Sequence, residues 1–363
     1  MRVEIPVLEH DDLLSDDVVA RSRAADAVRR AFSGPGLIFV HGAPVARTQV
    51  DGLYERFLEV LARPTAEKAG WGGADIWFQR GWTPPNTERA VEGGGEPDFK
   101  ECFFATPEVL DPEAALLWPE LYAENVWPDD ADAFRQATTD VGQALHGVGL
   151  RLLEACERAL DLAPGTLVDL TRGAANITRL LEYLPLDAAQ AARRNKILWG
   201  EEHTDFNLLT LLPGGRFFRD GVPGSPADGG GLYLRTRPTP EHPAGQRIEG
   251  TAPPGCLVAQ VGQQLEVLTG GTFLATPHGI VAPAEPGWIR TSVAHFVHVH
   301  ARTVMQPLPP FANAAPTYGP PVLAGTYATK TLVDIGLAPP TALDQLGYRH
   351  YDRLSRLRDL ERG

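Results

Sequence analysis

A chain of 363 residues, 43% hydrophobic and 22% charged, has the length for a substantial core in one large domain or two smaller ones. Its 33 basic and 46 acidic side chains give a formal net charge of −13, which excludes nucleic acid and anionic membrane surfaces as expected partners. No apolar run reaches transmembrane length, the N-terminus lacks a signal-peptide hydrophobic region, and Cys102, Cys156 and Cys256 form neither a disulfide framework nor a CxxC metal motif, so the expectation is a cytoplasmic protein.

The chain opens with a predicted strand at VEIPVLE (3–9) and a helix through DDVVARSRAADAVRRAF, where Val18, Ala25, Val28 and Phe32 recur at helical spacing. Gly34-Pro35-Gly36 stops that helix, and LIFVHG (37–42) is a short apolar strand. LYERFLEVLARP predicts a helix with Leu53, Phe57 and Val60 on one face and Pro64 closing it. The longest helical pattern runs from about Asp130 to Leu160 through Phe134, Val141, Leu145, Val148 and Leu152. His146 falls off that apolar face, which predicts solvent or a capping bond. Beyond residue 175 the pattern changes to short apolar strands, LTLL, GLYL, CLVAQV, LEVLTG and SVAHFVHVHA, separated by Gly/Pro-rich turns. That is the signature of a sandwich or barrel. Segments 219–231 and 237–250 carry too much Pro and Gly for internal strands and read as exposed loops or lids. Nothing resembles an internal repeat or an interdomain linker, so the helical half is expected to pack around the β half as one unit.

Ten histidines are present, and most are expected to be structural or exposed; His41 in VHGAP reads as support for a turn. His203 stands apart because GEEHTDFNLLTLL (200–212) places Asp205 two residues on, at the mouth of an apolar strand. In extended backbone such residues project to one side, so both can reach one ion. Two donors are too few for a tight site. His278, in FLATPHGIVAP, is the best third candidate. Two imidazoles and one carboxylate leave other metal positions open, the arrangement of non-haem Fe(II) oxygenases, whose vacancies take a keto acid and dioxygen. Twelve residues beyond His278, RTSVAHF puts Arg290 and Ser292 on one strand face. An arginine grips a carboxylate through two parallel hydrogen bonds, and a serine hydroxyl adds a third. His298 and His300 in HFVHVH are the rival metal pair, suited to zinc. They lie on the same predicted face as Arg290, where the field is already cationic, and are read as structural, with His298 a candidate for lining a substrate cavity.

Taken in order, these segments resemble the isopenicillin N synthase-like branch of the Fe(II)/2-oxoglutarate-dependent dioxygenases, to about residue 305. IPVLE resembles the opening strand, and LIFVHGAPV the strand that usually reads FFxVxNHGI. RGWTP (80–84) with DFKECFF (98–104) is similar to the RGY…D-K-E-x-F segment. HTDFNLLTLL resembles the HTDxxxLTLL motif, and PGCLVAQVGQQLEVLTGGTFLATPHGIV the block that carries the distal histidine. The resemblance implies an α+β fold with a mostly β core. That core is a distorted double-stranded β-helix (jelly roll, cupin-like), flanked by N-terminal and C-terminal helices, with the long helix as a brace. It also implies one oxygenase domain over 1–363, mainly helical to 175, jelly roll over 176–305 and a helical extension over 306–363.

The resemblance further implies His203, Asp205 and His278 as Fe(II) ligands and Arg290, Ser292 and Tyr183 around 2-oxoglutarate. RLLEYLP (179–185) stands where the family commonly has NYYP, so the asparagine is absent and the tyrosine position falls on Tyr183 or Leu184 depending on the end counted from. Gln263 stands where the family has an aspartate. Arg80, Trp82, Phe103, Arg179, Asn207, Phe296 and His298 are candidates for the substrate wall, and Arg80 or Arg179 would suit a substrate carboxylate. The expected activity is oxidation of a small-molecule C–H bond (hydroxylation, desaturation or cyclisation) in bacterial specialised metabolism or amino-acid modification, by a protein for which a monomer is plausible. The rivals are a same-fold oxidase that uses no 2-oxoglutarate, as isopenicillin N synthase and aminocyclopropane carboxylate oxidase do, a non-catalytic metal-binding scaffold, and a zinc hydrolase.

Overall fold

The computed structural model describes residues 4–88, 99–192, 199–227, 229–238 and 240–346. Asp98, His350 and the last part of the expected C-terminal extension lie outside them. The helix Val18–Ser33 starts where the Asp17 carboxylate accepts from the backbone N–H groups of Val19 and Ala20, satisfying donors the first turn leaves open. It buries Ala24, Val28, Ala31 and Phe32, whereas Val18, in the first turn, is exposed. The helix Arg47–Leu61 buries Val50, Leu53, Phe57 and Val60.

Both helices pack on the 28-residue helix Asp132–Ala159, which lies against the sheet. A Cβ on Gly149 would fall 2.8 Å from Val297 Cγ2, so the close seating of this brace requires glycine there. Because the brace is covered on more than one side, His146 is buried rather than solvated. Its Nδ1 lies 3.1 Å from His295 Nε2, and His295 Nδ1 lies 3.0 Å from Thr178 Oγ1. Burial pushes His146 down to about 4 and His295 further still, so both rings are neutral.

The strands follow in chain order as β1 (Val7–Glu9), β2 (Leu37–His41), β3 (Gly81–Thr83), β4 (Lys100–Ala105), β5 (Ile177–Tyr183), β6 (Gly200–His203) and β7 (Leu209–Leu212). They continue as β8 (Arg216–Arg219), β9 (Val222–Gly224), β10 (Gly231–Arg235), β11 (Arg247–Glu249), β12 (Cys256–Val261), β13 (His278–Val281) and β14 (Ile289–Val297). The larger sheet runs β1-β2-β12-β7-β14-β5-β4-β3, with β8 joining β14 and β9 joining β8; the smaller runs β11-β10-β13-β6. Apart from the parallel β1/β2 pair, the ladders of both sheets are antiparallel. Residues of both sheets line one cavity of about 1310 Å³, and this is the double-stranded β-helix architecture with flanking helices.

Three local expectations change. LEVLTG is not a strand: Gln263–Leu268 is a helix whose buried apolar residues, Leu265 and Leu268, lie three apart, a helical spacing. β14 stops at Val297, so His298 and His300 lie beyond it. The two Gly/Pro-rich connections each contain a short strand, β9 and β11, and both are edge strands, where such residues are tolerated.

Candidate metal centre and its cavity

His203 ends β6 and His278 opens β13, and the two are direct Cα partners across the smaller sheet. Their ring centroids are 4.5 Å apart. Asp205 follows β6 and is turned between them, Oδ1 3.4 Å from His203 Nε2 and Oδ2 3.7 Å from His278 Nε2. One donor atom from each residue lies within 4.8 Å of the other two, and among the described residues this is the group of three that can hold a metal ion.

The surroundings fix each donor. His278 Nδ1 is 2.9 Å from the Thr276 carbonyl oxygen, which requires the proton on Nδ1 and leaves Nε2 free to ligate. Burial lowers the His278 pKa, against the opposing charge of Asp205, so the ring is neutral. Asp205 Oδ2 accepts from Thr210 Oγ1 at 2.6 Å and from Gln260 Nε2 at 2.9 Å. Burial alone would push the Asp205 carboxyl up, but His278, His203 and Thr210 hold it well below the usual carboxylate range. His278 is buried, Asp205 is partly buried with 11% of its side chain exposed, and His203 is half-exposed on the cavity side.

The rival histidine pair does not assemble. His300 Nε2 sits 3.0 Å from Asp111 Oδ2, away from the cavity wall. His298 does line the cavity, its ring 5.1 Å from that of Phe206, and burial pushes it down to about 4, so it is neutral.

Arg290 and Ser292 face the same cavity from β14. Arg290 is the Cα partner of Tyr183 on one side and of Phe217 on the other, and its guanidinium carbon lies 5.4 Å from the Tyr183 ring centroid. Tyr183, not Leu184, is on the cavity wall. Arg290 Nη1 is buried without a partner, and a buried guanidinium nitrogen left unpaired marks a place for an acceptor. A Cβ on Gly215 would lie 2.6 Å from Arg290 Nη2, so glycine is what leaves the guanidinium its room.

Arg179, Asn207, Phe296 and His298 also line the cavity, whereas Arg80, Trp82 and Phe103 do not. Lys100 and Phe104 face inward from β4, so Phe103, one residue off that alternation, points away and packs its ring 5.0 Å from that of Phe134. Trp82 is the Cα partner of Phe103 and shares its outward side, donating Nε1 to Glu101 Oε2 at 2.7 Å. Arg80 is fully buried behind the wall and donates to the carbonyls of Gln79 and Leu121.

Residues 5–130 match the family model described as the non-haem dioxygenase in morphine synthesis N-terminal region. The chain is 30% identical over 199 residues to the 2-oxoglutarate-dependent dioxygenase phqC of Penicillium fellutanum, 52% of this chain and 51% of that one, so it spans about half the length of that relative. A 2OG-Fe(II) oxygenase family protein of Caulobacter crescentus superposes with a TM-score of 0.71 at 25% identity, over 92% of this chain and 100% of the other. A full-length protein of Neurospora crassa, solved in complex with alpha-KG and thymine, shares the fold with a TM-score of 0.71 at 20% identity, over 91% of this chain and 96% of that one.

In sequence and in fold the chain is similar to the Fe(II)- and 2-oxoglutarate-dependent dioxygenases.

Fe(II) and 2-oxoglutarate are the cofactors of this dioxygenase family, and the donors here fit them. A neutral imidazole and an ionised carboxylate are both pre-formed around one point, and Arg290, whose Nη1 is buried without a partner, lines the same cavity. Reasoning from the sequence misses Gln260. The signal for it is a lone amide inside the apolar strand CLVAQV, fully buried and unable to be satisfied by apolar neighbours. Gln263, in the place of the family's aspartate, donates Nε2 to Thr204 Oγ1 at 2.7 Å and accepts from the Tyr327 hydroxyl. It thereby ties the metal loop to the C-terminal helix Ala324–Asp334.

Proposed function

We propose that this dioxygenase oxidises a C–H bond of a small molecule, with His203, Asp205 and His278 holding Fe(II), and Arg290, Ser292 and Tyr183 receiving the far carboxylate of 2-oxoglutarate. The observation that carries this reading is the pairing, on one cavity, of a three-donor cluster with the unpartnered Arg290 Nη1. With Fe(II) and 2-oxoglutarate bound, such a centre supplies coupled oxidation: dioxygen converts 2-oxoglutarate to succinate and carbon dioxide and leaves one oxidising equivalent pair for the substrate.

The protein's part is orientation and exclusion. Thr276 fixes the His278 tautomer, Thr210 and Gln260 fix the Asp205 carboxylate, and Gly215 gives Arg290 clearance. Ile177, Leu181 and Phe296 furnish an apolar wall that limits water around the reacting position. Asp205 and His278 are kept in the charged and neutral forms that ligation requires.

An anaerobic titration with Fe(II) and then 2-oxoglutarate tests the reading: a charge-transfer absorption should develop with both present and not with Zn(II). Its absence sinks the clamp. Succinate released per dioxygen consumed then separates this activity from a same-fold oxidase, which turns over without succinate.

A further inference from the structure

A chain of net charge −13 surrounds this cavity with cations, grouped so that one carboxylate serves two of them. Asp51 takes Arg47 Nε at 2.9 Å and Arg216 Nη2 at 2.7 Å. Glu202 takes Arg235 Nε at 2.5 Å and Arg247 Nε at 3.7 Å. Glu88 takes Lys100 Nζ at 3.0 Å and Arg179 Nη2 at 2.5 Å. The first two groups are wet: the side chains of Arg216 and Arg247 are 40% and 57% exposed, and solvent screens their charge. Glu88 and Arg179 are only 9% and 16% exposed. A guanidinium held that deep gains most from a second counter-ion, because water does little for it there.

Arg179 is incompletely served. Nη2 carries the bond to Glu88 and lies 3.3 Å from the Cys102 sulfur, a neutral thiol, while Nε is buried with no partner. The register sets it in the cavity. Arg179 is the Cα partner of Ala294 on β14 and of Phe104 on β4. Ala294 is two residues beyond Ser292 on the same strand face, roughly 7 Å further along the cavity than the proposed cosubstrate clamp. The residue opposite Arg179 on β14 is the small Ala294, the guanidinium carbon lies 5.0 Å from the Phe104 ring centroid, and Phe104, Ile177 and Phe296 make the adjoining wall apolar.

We infer that the substrate is an apolar molecule bearing a carboxylate, and that Arg179 binds that carboxylate and so sets which carbon faces the metal centre. The assignment rests on the dioxygenase reading above and adds the substrate class to it.

The test is anaerobic calorimetric titration of the Fe(II)- and 2-oxoglutarate-loaded protein with hexanoate, 3-phenylpropanoate and naphthalene-2-carboxylate, each beside its primary amide. At least one acid should bind about tenfold or more tightly than its amide, as a charge-assisted hydrogen-bond pair requires. Arg179→Gln should abolish the preference and Arg179→Lys should keep part of it. Ala294→Asp, which sets a carboxylate beside an intact Arg179, should abolish acid binding as well, and it decides the matter if Arg179→Gln fails to fold. Loss of the charge-transfer band in the wild type overturns the dioxygenase reading and this assignment with it. With the band intact, acids and amides that bind alike or not at all, or a preference that survives either Arg179→Gln or Ala294→Asp, overturn the Arg179 assignment alone.

Discussion

Gln260 reaches from the larger sheet to the metal centre and donates Nε2 to Asp205 Oδ2 at 2.9 Å, with the same nitrogen 3.1 Å from His278 Nε2. The amide is fully buried and its Oε1 has no partner, so the group is kept for what its nitrogen does. Gln260→Leu preserves volume and removes the donor, leaving Asp205 Oδ2 to Thr210. Outer-shell losses of this kind cost about 10–100-fold in metal affinity, and a fall of that order is expected in anaerobic chelator-competition titrations with Fe(II). Unchanged affinity would show that Thr210 alone orients the carboxylate.

Gly215 should behave as a selective lever on the cosubstrate. A methyl group there meets the Arg290 guanidinium at 2.6 Å from Nη2, and relief requires the guanidinium to shift. Overpacking of this size costs about 1–3 kcal/mol. Gly215→Ala is therefore expected to raise the 2-oxoglutarate concentration at half-maximal charge-transfer absorbance by about tenfold or more, while Fe(II) affinity stays at the wild-type value. Equal losses in both would point to a general collapse of the cavity.

How much of this is legible in the sequence follows from which interactions are local. HTD and LLTLL announce a ligand pair on a strand because both facts live within ten residues, and Arg290 with Ser292 announces a clamp by period two. Tyr183 over Leu184 is not decidable, since a count from either end of RLLEYLP is equally good until pairing with Arg290 fixes the register. Phe103 stands in for Phe104 in the sequence reading for the same reason: a one-residue difference reverses the face, and only the neighbour strand says which face is inside. The burial of His146 is hidden because the periodicity of a helix reports its main apolar stripe and not a second layer packed on its flank. Glu88, Lys100 and Arg179 meet from separate strands and loops, and nothing in their local sequence says that one carboxylate serves both cations.

Metal binding should register as stability. Fe(II), or Mn(II) as an air-stable surrogate, binds the folded donor set and not the unfolded chain, so metal at a hundred times its Kd adds about 2.7 kcal/mol. A concentration-dependent rise in Tm is expected for the wild type, reversed by a chelator. His203→Ala, at the half-exposed position, removes one of three donors with little loss of packing and should abolish the rise. A variant that keeps the full shift would remove His203 from the ligand set.

Glu182 gives a pH-dependent prediction remote from the metal. It sits on β5 directly opposite Glu101 of β4, and like charges facing across a ladder destabilise it. Burial, reinforced by the Glu101 charge, pushes the Glu182 carboxyl up to about 7, with Lys68 opposing. Lys68 is already committed to Glu101 Oε2 at 2.8 Å. Below the ordinary carboxyl pKa of 4.5 both folded and unfolded chains hold the proton, and the residue contributes nothing to pH dependence. As pH rises from there to about 7, the unfolded chain releases its proton first, so folding stability falls; above that the loss is complete. Glutamine mimics the protonated form at every pH. Glu182→Gln should therefore match the wild type in urea unfolding near pH 4 and exceed it at pH 8 by on the order of 2 kcal/mol. A difference of equal size at both pH values would mean that packing, not ionisation, distinguishes the two side chains.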